Sequence, residues 1–372
     1  MAWDTAFAIA GTQVADAALL ERAFVLPGSD GRMAGFTAKC RAGGTATVGF
    51  IGGSITEGAG ASQPSRRYSS RFLGFLGKAW PRARFQEVNA GIGATGSRFG
   101  ASRARYDLLD RGADLIVIEF AVNDALDDTA GSALAFEGLL RQCLLQGPAP
   151  VVVFQTMNRN GDSLNQGIQA GIAAHYGVPV VSYRQAFRPM IADGSMPWAA
   201  ITADEIHPND AGHAAAAYLL YAYARHEAGR AGSGAPKAIP PPFRSDIFVE
   251  ADLLHKDDTV LAIEGSGGWA RAEDSLGRVG FSSTTRGDSL ALTTRARDMV
   301  ICYRYAKGLD ARISVRVDGG PADTVGNHFE ADWGGGYLKP FKVPGVDGAS
   351  RRVEIVNVSG GAFSLDYVLY AP

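Results

Sequence analysis

A serine sits among glycines in Gly52-Gly53-Ser54-Ile55-Thr56-Glu57-Gly58, directly after an apolar run, where a hydroxyl can project and backbone amides can approach a substrate. Far downstream, Asp204-Glu205-Ile206-His207-Pro208-Asn209 carries an aspartate and a histidine three apart. On a turn the two can face each other, with Asp204 holding the Nδ1–H of His207 and Nε2 left free as a base. Serine, base and carboxylate are the parts of nucleophilic acyl chemistry. Each segment also has a structural reading. Ser54 could simply cap the next helix. Pro208 followed by Asn209 or Asp210 reads as a helix start, which is compatible with the chemical role, because the cap would fix the loop that bears the base. Thr56 stands where a Gly-x-Ser-x-Gly elbow would have its last glycine. No Gly-Lys-Ser/Thr follows to make a phosphate loop.

Two further segments carry polar chemistry. Val88-Asn89-Ala90-Gly91-Ile92-Gly93-Ala94-Thr95-Gly96-Ser97 contains Gly-x-Gly-x-x-Gly between a strand and a helix, the pattern of a dinucleotide site, with Glu119 as its candidate acid. That pattern normally opens its fold, whereas here a full strand and helix precede it, so no nicotinamide cofactor is expected. Glu119-Phe120-Ala121-Val122-Asn123-Asp124 closes the next apolar run with an amide and a carboxylate. Among six histidines only His207 follows an aspartate at this spacing beside a helix start, and His213 reads as a helix residue with no chemical task. His207 and His213 do not share a helical face, so neither a metal nor any other cofactor is predicted.

The elements that must position these residues alternate. Strand-length apolar runs at Ala46–Ile51, Arg84–Val88, Leu115–Phe120, Pro150–Phe154 and Val178–Ser182 lack polar alternation, as strands buried on both faces do. Helical periods fall between them near Arg66–Ala79, Ser97–Asp110, Ser132–Gln146 and Leu164–His175, with a long last helix at Pro208–Ala228. The alternation predicts a parallel α/β sheet of about five strands, and ligands then sit at the carboxyl ends of those strands. Ala231–Phe243, rich in Gly and Pro, reads as a linker. After it come short alternating runs, Val279–Phe281, Ser289–Thr293, Met299–Tyr305, Ile313–Val317, Arg352–Val356 and Phe363–Tyr370, which predict an all-β sandwich. The expected organisation is an N-terminal arm of uncertain packing over 1–30, a catalytic domain over 31–230, a linker over 231–243 and a β-sandwich over 244–372.

Composition narrows the function. At 372 residues the chain exceeds what one core usually organises, so two domains are expected. A formal net charge of −2 with no long basic run excludes a general nucleic-acid binder. Cys40, Cys143 and Cys302 are too few and too far apart for a disulfide framework. Asp4 interrupts the only apolar stretch at the N-terminus, and no basic segment precedes it, so the expected location is cytoplasmic. No uncharged apolar run is long enough to span a membrane. Nothing in the sequence sets an oligomeric state.

From about Gly44 to Ala228 the blocks, in this order, resemble the SGNH hydrolase (GDSL-type esterase) family, in its bacterial carbohydrate-esterase-like branch. The resemblance implies a three-layer α/β/α, flavodoxin-like catalytic domain, followed here by a sandwich of jelly-roll type. It assigns Ser54 as nucleophile, His207 as base, Asp204 as the third member of the triad and Asn123 as an oxyanion-hole side chain, with further donors from the amides of Ser54 and of Ala94 or Gly93. Ala94 departs from the family, which usually has glycine there. Ser102 replaces the usual aromatic before Arg103, to which no catalytic role is given. Asp124 reads as structural. Glu57 and Trp198 are candidates for contact with substrate. The implied reaction is hydrolysis of a small acyl ester, acetylated sugars leading, with an oligosaccharide or small-molecule ester as the only partner. An acyltransferase using the same residues is the rival enzyme. A protein that mainly binds sugar through Trp269, Trp333 and Tyr337 of the β-domain is the alternative of another class.

Overall fold

In a computed structural model, residues 8–9, 12–13, 17–29, 31–126, 129–159, 164–230, 237–330 and 337–372 are described. The chain forms two compact units that divide between Asp246 and Ile247; three earlier residues, Ala101–Arg103, group with the second.

The first unit follows the predicted alternation. Its helices and strands run α1 (Ala17–Ala23), β1 (Phe24–Leu26), α2 (Met33–Ala42), β2 (Thr45–Gly52), the single turn α3 (Ser54–Glu57), α4 (Tyr68–Ala79), β3 (Arg84–Gly91), α5 (Ser97–Asp107), β4 (Leu115–Glu119), α6 (Thr129–Leu145), β5 (Val151–Gln155), α7 (Leu164–His175), β6 (Val180–Ser182), α8 (Tyr183–Ala192) and α9 (Asp210–Gly229). The sheet has six strands in the order β1-β6-β5-β4-β2-β3. The five expected strands run parallel. The sixth, β1, pairs antiparallel with β6 and makes the sheet mixed. Phe24-Val25-Leu26 is too short to show a period, which is why the sequence alone left it unassigned.

Strand side chains alternate between two apolar layers. Val48, Phe50, Leu115, Val117, Val152 and Phe154 join Phe36 of α2, Phe72 and Leu76 of α4 and the alanines of α9 in one core. The opposite positions Ile116, Ile118, Val151 and Val153 are equally buried. Alanine after alanine in α9, from Ala214 to Ala217, is fully or nearly fully buried, so this helix can lie close against its neighbours. Asn209 caps it, its side chain accepting from the amides of Ala211 and Gly212, both at 3.0 Å.

Among the described residues the named strands of the second unit pair antiparallel, and one isolated parallel bridge joins Ala306 to His328. Leu261–Gly265, Ser289–Thr294, Arg351–Asn357, Arg312–Val317 and Ala322–Gly326 form one sheet in that order. Ala270–Glu273, Val279–Ser283, Phe363–Ala371, Asp298–Tyr305 and Tyr337–Lys342 form the other, with Asp252–Leu253 paired to Phe363–Ala371. Leu290, Leu292, Ile313 and Val353 of the first sheet share one core with Phe281, Ile301 and Leu365 of the second, which makes a sandwich. Trp269 is buried in that core, so it presents no face to a sugar. Trp333 lies outside the described residues. Among the described residues no helix is long and apolar enough to cross a membrane.

Candidate active site

After β2 the chain moves to β3 on one side and then to β4 on the other, so the carboxyl ends of β2 and β4 flank the topological switch point of the sheet. Ser54 follows β2 and Asn123 follows β4. Gly53 is extended, and α3 closes after one turn. Gly58 takes a left-handed conformation at φ 113°, and the amides of Gly58 and Ala59 both donate to the Ser54 carbonyl at 2.9 Å. The turn that bears Ser54 is therefore short, closed and anchored at its start to an inner strand.

His207 joins the two distant segments. Its Nε2 lies 2.9 Å from Ser54 Oγ, and its Nδ1 lies 2.7 Å from Asp204 Oδ2. The other oxygen, Asp204 Oδ1, accepts from the amides of Ile206 and His207, each at 2.7 Å. Partial burial opposes the charge on Asp204, but the ring of His207 and these two amides outweigh it and hold the carboxyl below its ordinary range. An ionised Asp204 fixes Nδ1 as the protonated nitrogen, so Nε2 faces Ser54 with its lone pair. Gly60, left-handed at φ 86°, packs so closely that a Cβ there would overlap the Pro208 carbonyl and come 3.1 Å from His207 Cβ.

On the other side of Ser54 stand Gly93 and Asn123. A Cβ added to Gly93 would lie 3.8 Å from Ser54 Cβ and 2.9 Å from Glu57 Oε2, so this backbone borders both the serine and the exposed Glu57 carboxylate. A Cβ added to Gly53 would overlap the Asn123 carboxamide. Ala94, next in the loop, has φ +57°, in the left-handed region that favours glycine. Asp124 takes the amide of Ser97 at 2.7 Å, the Ser97 hydroxyl at 2.6 Å and the Gln169 amide group at 2.9 Å, and so caps α5 from the end of β4. The glycines of the Gly-x-Gly-x-x-Gly run serve the protein itself: a Cβ on Gly91 would overlap the Glu57 backbone, and one on Gly96 would lie 2.9 Å from Asp124 Oδ1. The Trp198 indole N–H donates to the Asp204 carbonyl at 2.7 Å, which places the half-buried ring beside the aspartate loop.

Other polar residues hold the surroundings of the site together, and His213 is the helix residue that the sequence suggests. His213 is fully buried: its Nδ1 accepts from the Tyr68 amide at 3.2 Å and its Nε2 donates to the Ala59 carbonyl at 3.0 Å. Burial lowers its pKa to about 4, so it stays neutral and ties α9 to the chain leaving the Ser54 turn. The Asn89 side chain donates to the Thr56 carbonyl at 2.7 Å and accepts from the Gly91 amide at 2.9 Å, joining the end of β3 to α3. The Tyr68, Ala59 and Thr56 partners lie far off in sequence, which is why spacing could not reveal these links.

A three-layer α/β unit with serine, histidine and aspartate brought together at its strand ends defines an ester-hydrolase architecture. Residues 50–215 match the GDSL-like lipase/acylhydrolase family, and the chain is a serine ester hydrolase. Among solved structures it is similar to a two-domain esterase (CEX) active on acetylated mannans, at 26% identity over 95% of this chain and 98% of the other, with a TM-score of 0.86. The same esterase co-crystallised with mannopentaose matches at 26% identity over 95% of this chain and 97% of the other, with a TM-score of 0.84. None of the curated proteins matches the chain.

Proposed function

We propose that this protein is a carbohydrate esterase that removes small acyl groups, acetyl foremost, using Ser54 as nucleophile, His207 as base and Asp204 as the carboxylate that orients it. The observation that carries the reading is His207 standing within hydrogen-bond distance of both Ser54 Oγ and Asp204 Oδ2. The similarity along nearly the whole chain to an esterase active on acetylated mannans supports a polysaccharide or oligosaccharide ester as substrate.

In this mechanism Ser54 Oγ attacks the ester carbonyl as its proton passes to His207 Nε2. The oxyanion takes hydrogen bonds from the amide of Ser54, from that of Gly93 or Ala94, and from the Asn123 carboxamide. His207 returns the proton to the departing sugar oxygen, and water, deprotonated by the same ring, releases the acid from Ser54. Glu57, beside Gly93, and Trp198, beside the Asp204 loop, are the side chains placed to contact the sugar.

The test is acetate release from acetylated manno-oligosaccharides together with covalent labelling by a fluorophosphonate. Ser54→Ala and His207→Ala should each remove turnover by a factor of about 10⁴ or more, since nucleophile and base act as one device, and the label should map to Ser54. Undiminished turnover in purified Ser54→Ala would overturn the assignment.

A further inference from the structure

We propose that Glu119 is a positioning residue of this site: its carboxyl lies beneath the nucleophile turn and ties the loops after β2, β4 and β5 together, so that it sets where Ser54 Oγ stands. The proposal rests on the reading of Ser54 as nucleophile.

Glu119 is the last residue of β4, and its backbone pairs with Gly52 at the end of β2. Alternation along the strand points its side chain the same way as Leu115 and Val117, into the apolar layer beneath α4 and α9. It is fully buried, and a buried carboxyl without partners would be strongly destabilising. Its partners are drawn from the surrounding loops. Thr156, just after β5, donates its hydroxyl to Oε1 at 2.6 Å. Thr56, two residues after Ser54 in α3, lies 3.4 Å from Oε2. The Thr56 hydroxyl lies 2.8 Å from the Tyr68 hydroxyl at the start of α4, and Tyr68 is in turn held through its amide by His213. Thr56, Tyr68 and Thr156 are as deeply buried as Glu119. One carboxyl thus sits where three strand ends and the first residue of α4 converge, while no residue of this chain of contacts touches Ser54 Oγ itself.

Burial pushes the Glu119 pKa up to about 7; the hydroxyls of Thr156 and Thr56 and the Ala121 amide pull it down, and nearby Asp124 adds to the rise. Near neutral pH the carboxyl exchanges between its two forms. Threonine hydroxyls can donate to either form and accept from the protonated one, so the framework does not depend on the charge. Glutamine has the same shape and the same capacity to accept and donate.

The experiment compares Thr56→Val, Thr56→Ser, Glu119→Ala and Glu119→Gln in the full chain, with kcat and KM for p-nitrophenyl acetate, the rate of fluorophosphonate labelling of Ser54, and the melting temperature. Thr56→Val and Glu119→Ala should lower kcat and the labelling rate by about tenfold or more with KM within about twofold, because a misplaced nucleophile is felt in the transition state. Thr56→Ser and Glu119→Gln should recover activity to within about threefold of the parent. Should Glu119→Ala fail to fold, Thr56→Val carries the same expectation. Unchanged kcat and labelling in folded Thr56→Val, or a fall in melting temperature alone, would overturn the positioning role. Turnover surviving in Ser54→Ala would instead remove the reading beneath it.

Discussion

A side chain on Gly53 would overlap the carboxamide of Asn123, so the backbone just before Ser54 and an amide at the end of the neighbouring strand occupy adjoining space. The fit explains why a second glycine follows Gly52: the position is extended and needs no left-handed freedom, only the absence of a Cβ. If the Asn123 amide binds the oxyanion, anything that displaces it should act on kcat. Asn123→Ala should lower kcat by about 10²–10³ with little change in KM, and Gly53→Ala should approach that loss by pushing the amide away. Steady-state kinetics on a small acetyl ester check both. A rise in KM alone would make Asn123 a binding residue.

Ala94 makes a separate prediction. A non-glycine residue at φ +57° carries roughly 1–2 kcal/mol of backbone strain. Glycine would relieve it but would lose about 0.4–1 kcal/mol through a freer unfolded chain. Ala94→Gly should therefore be between neutral and about 1.6 kcal/mol stabilising, whereas β-branched Ala94→Val should destabilise by at least about 1 kcal/mol. Urea unfolding of the two variants decides it, and a clearly destabilised Ala94→Gly would contradict the strain.

Two buried titratable groups that share Tyr68 act on stability in opposite directions. Glu119 titrates near 7 in the folded chain against an ordinary 4.5, so between those values the folded state holds the extra proton, and stability falls as pH rises. His213 titrates near 4 against an ordinary 6.5, so the unfolded state holds the extra proton and stability is lost as pH falls through that window. The two largely offset each other between pH 4.5 and 6.5. Glu119→Gln removes only the first. Its stability relative to the parent should improve by about 1–3 kcal/mol from pH 5 to pH 7.5, measured by urea unfolding at both values. Parallel curves would refute the shift.

The grouping of Ser54, His207 and Asp204 could be read from the sequence because each sits just after a strand or just before a capped helix, and because Asp204 and His207 are close enough in sequence to face each other. Five strands of the main sheet were visible for a related reason: buried parallel strands write themselves as unbroken apolar runs. Short or polar elements were not. The edge strand Phe24–Leu26 depends on pairing with Val180 and Val181, and α2 has only weak amphipathic patterning. Glu119 was noticed for a different reason, as the acid of a dinucleotide pattern. Its actual partners, Thr56 and Thr156, are brought to it only by the order of the strands. The same holds for Trp269, whose burial is decided by the packing of two sheets and not by its neighbours in the chain.

A fully buried carboxylate also governs the end of the first unit. Glu137 in α6 accepts from the amides of Phe243 at 2.6 Å, Arg244 at 2.9 Å and Ser245 at 3.2 Å, and from the Tyr176 hydroxyl. Arg141 donates to the Pro240 carbonyl and His175 to that of Pro241, both at 2.9 Å, while the Phe243 ring stacks on His175 with centroids 4.9 Å apart. Composition alone makes Pro240-Pro241-Pro242 a stiff spacer; the contacts make 240–245 a strap bound to α6 and α7. Arg244 is exposed, so trypsin can reach its side chain, but cleavage needs the pinned backbone to come free. Taking away the acceptor leaves amides without partners, each worth about 1–3 kcal/mol where buried, and every ~1.4 kcal/mol raises the open population tenfold. Glu137→Ala should therefore speed cleavage after Arg244 by about tenfold or more in a native-state time course followed by mass spectrometry, with sites elsewhere in the chain cut at their parental rates. Glu137→Gln, which still offers one oxygen to the strap, should fall between the two. If cleavage after Arg244 is as slow in Glu137→Ala as in the parent, the carboxylate is not what holds the strap.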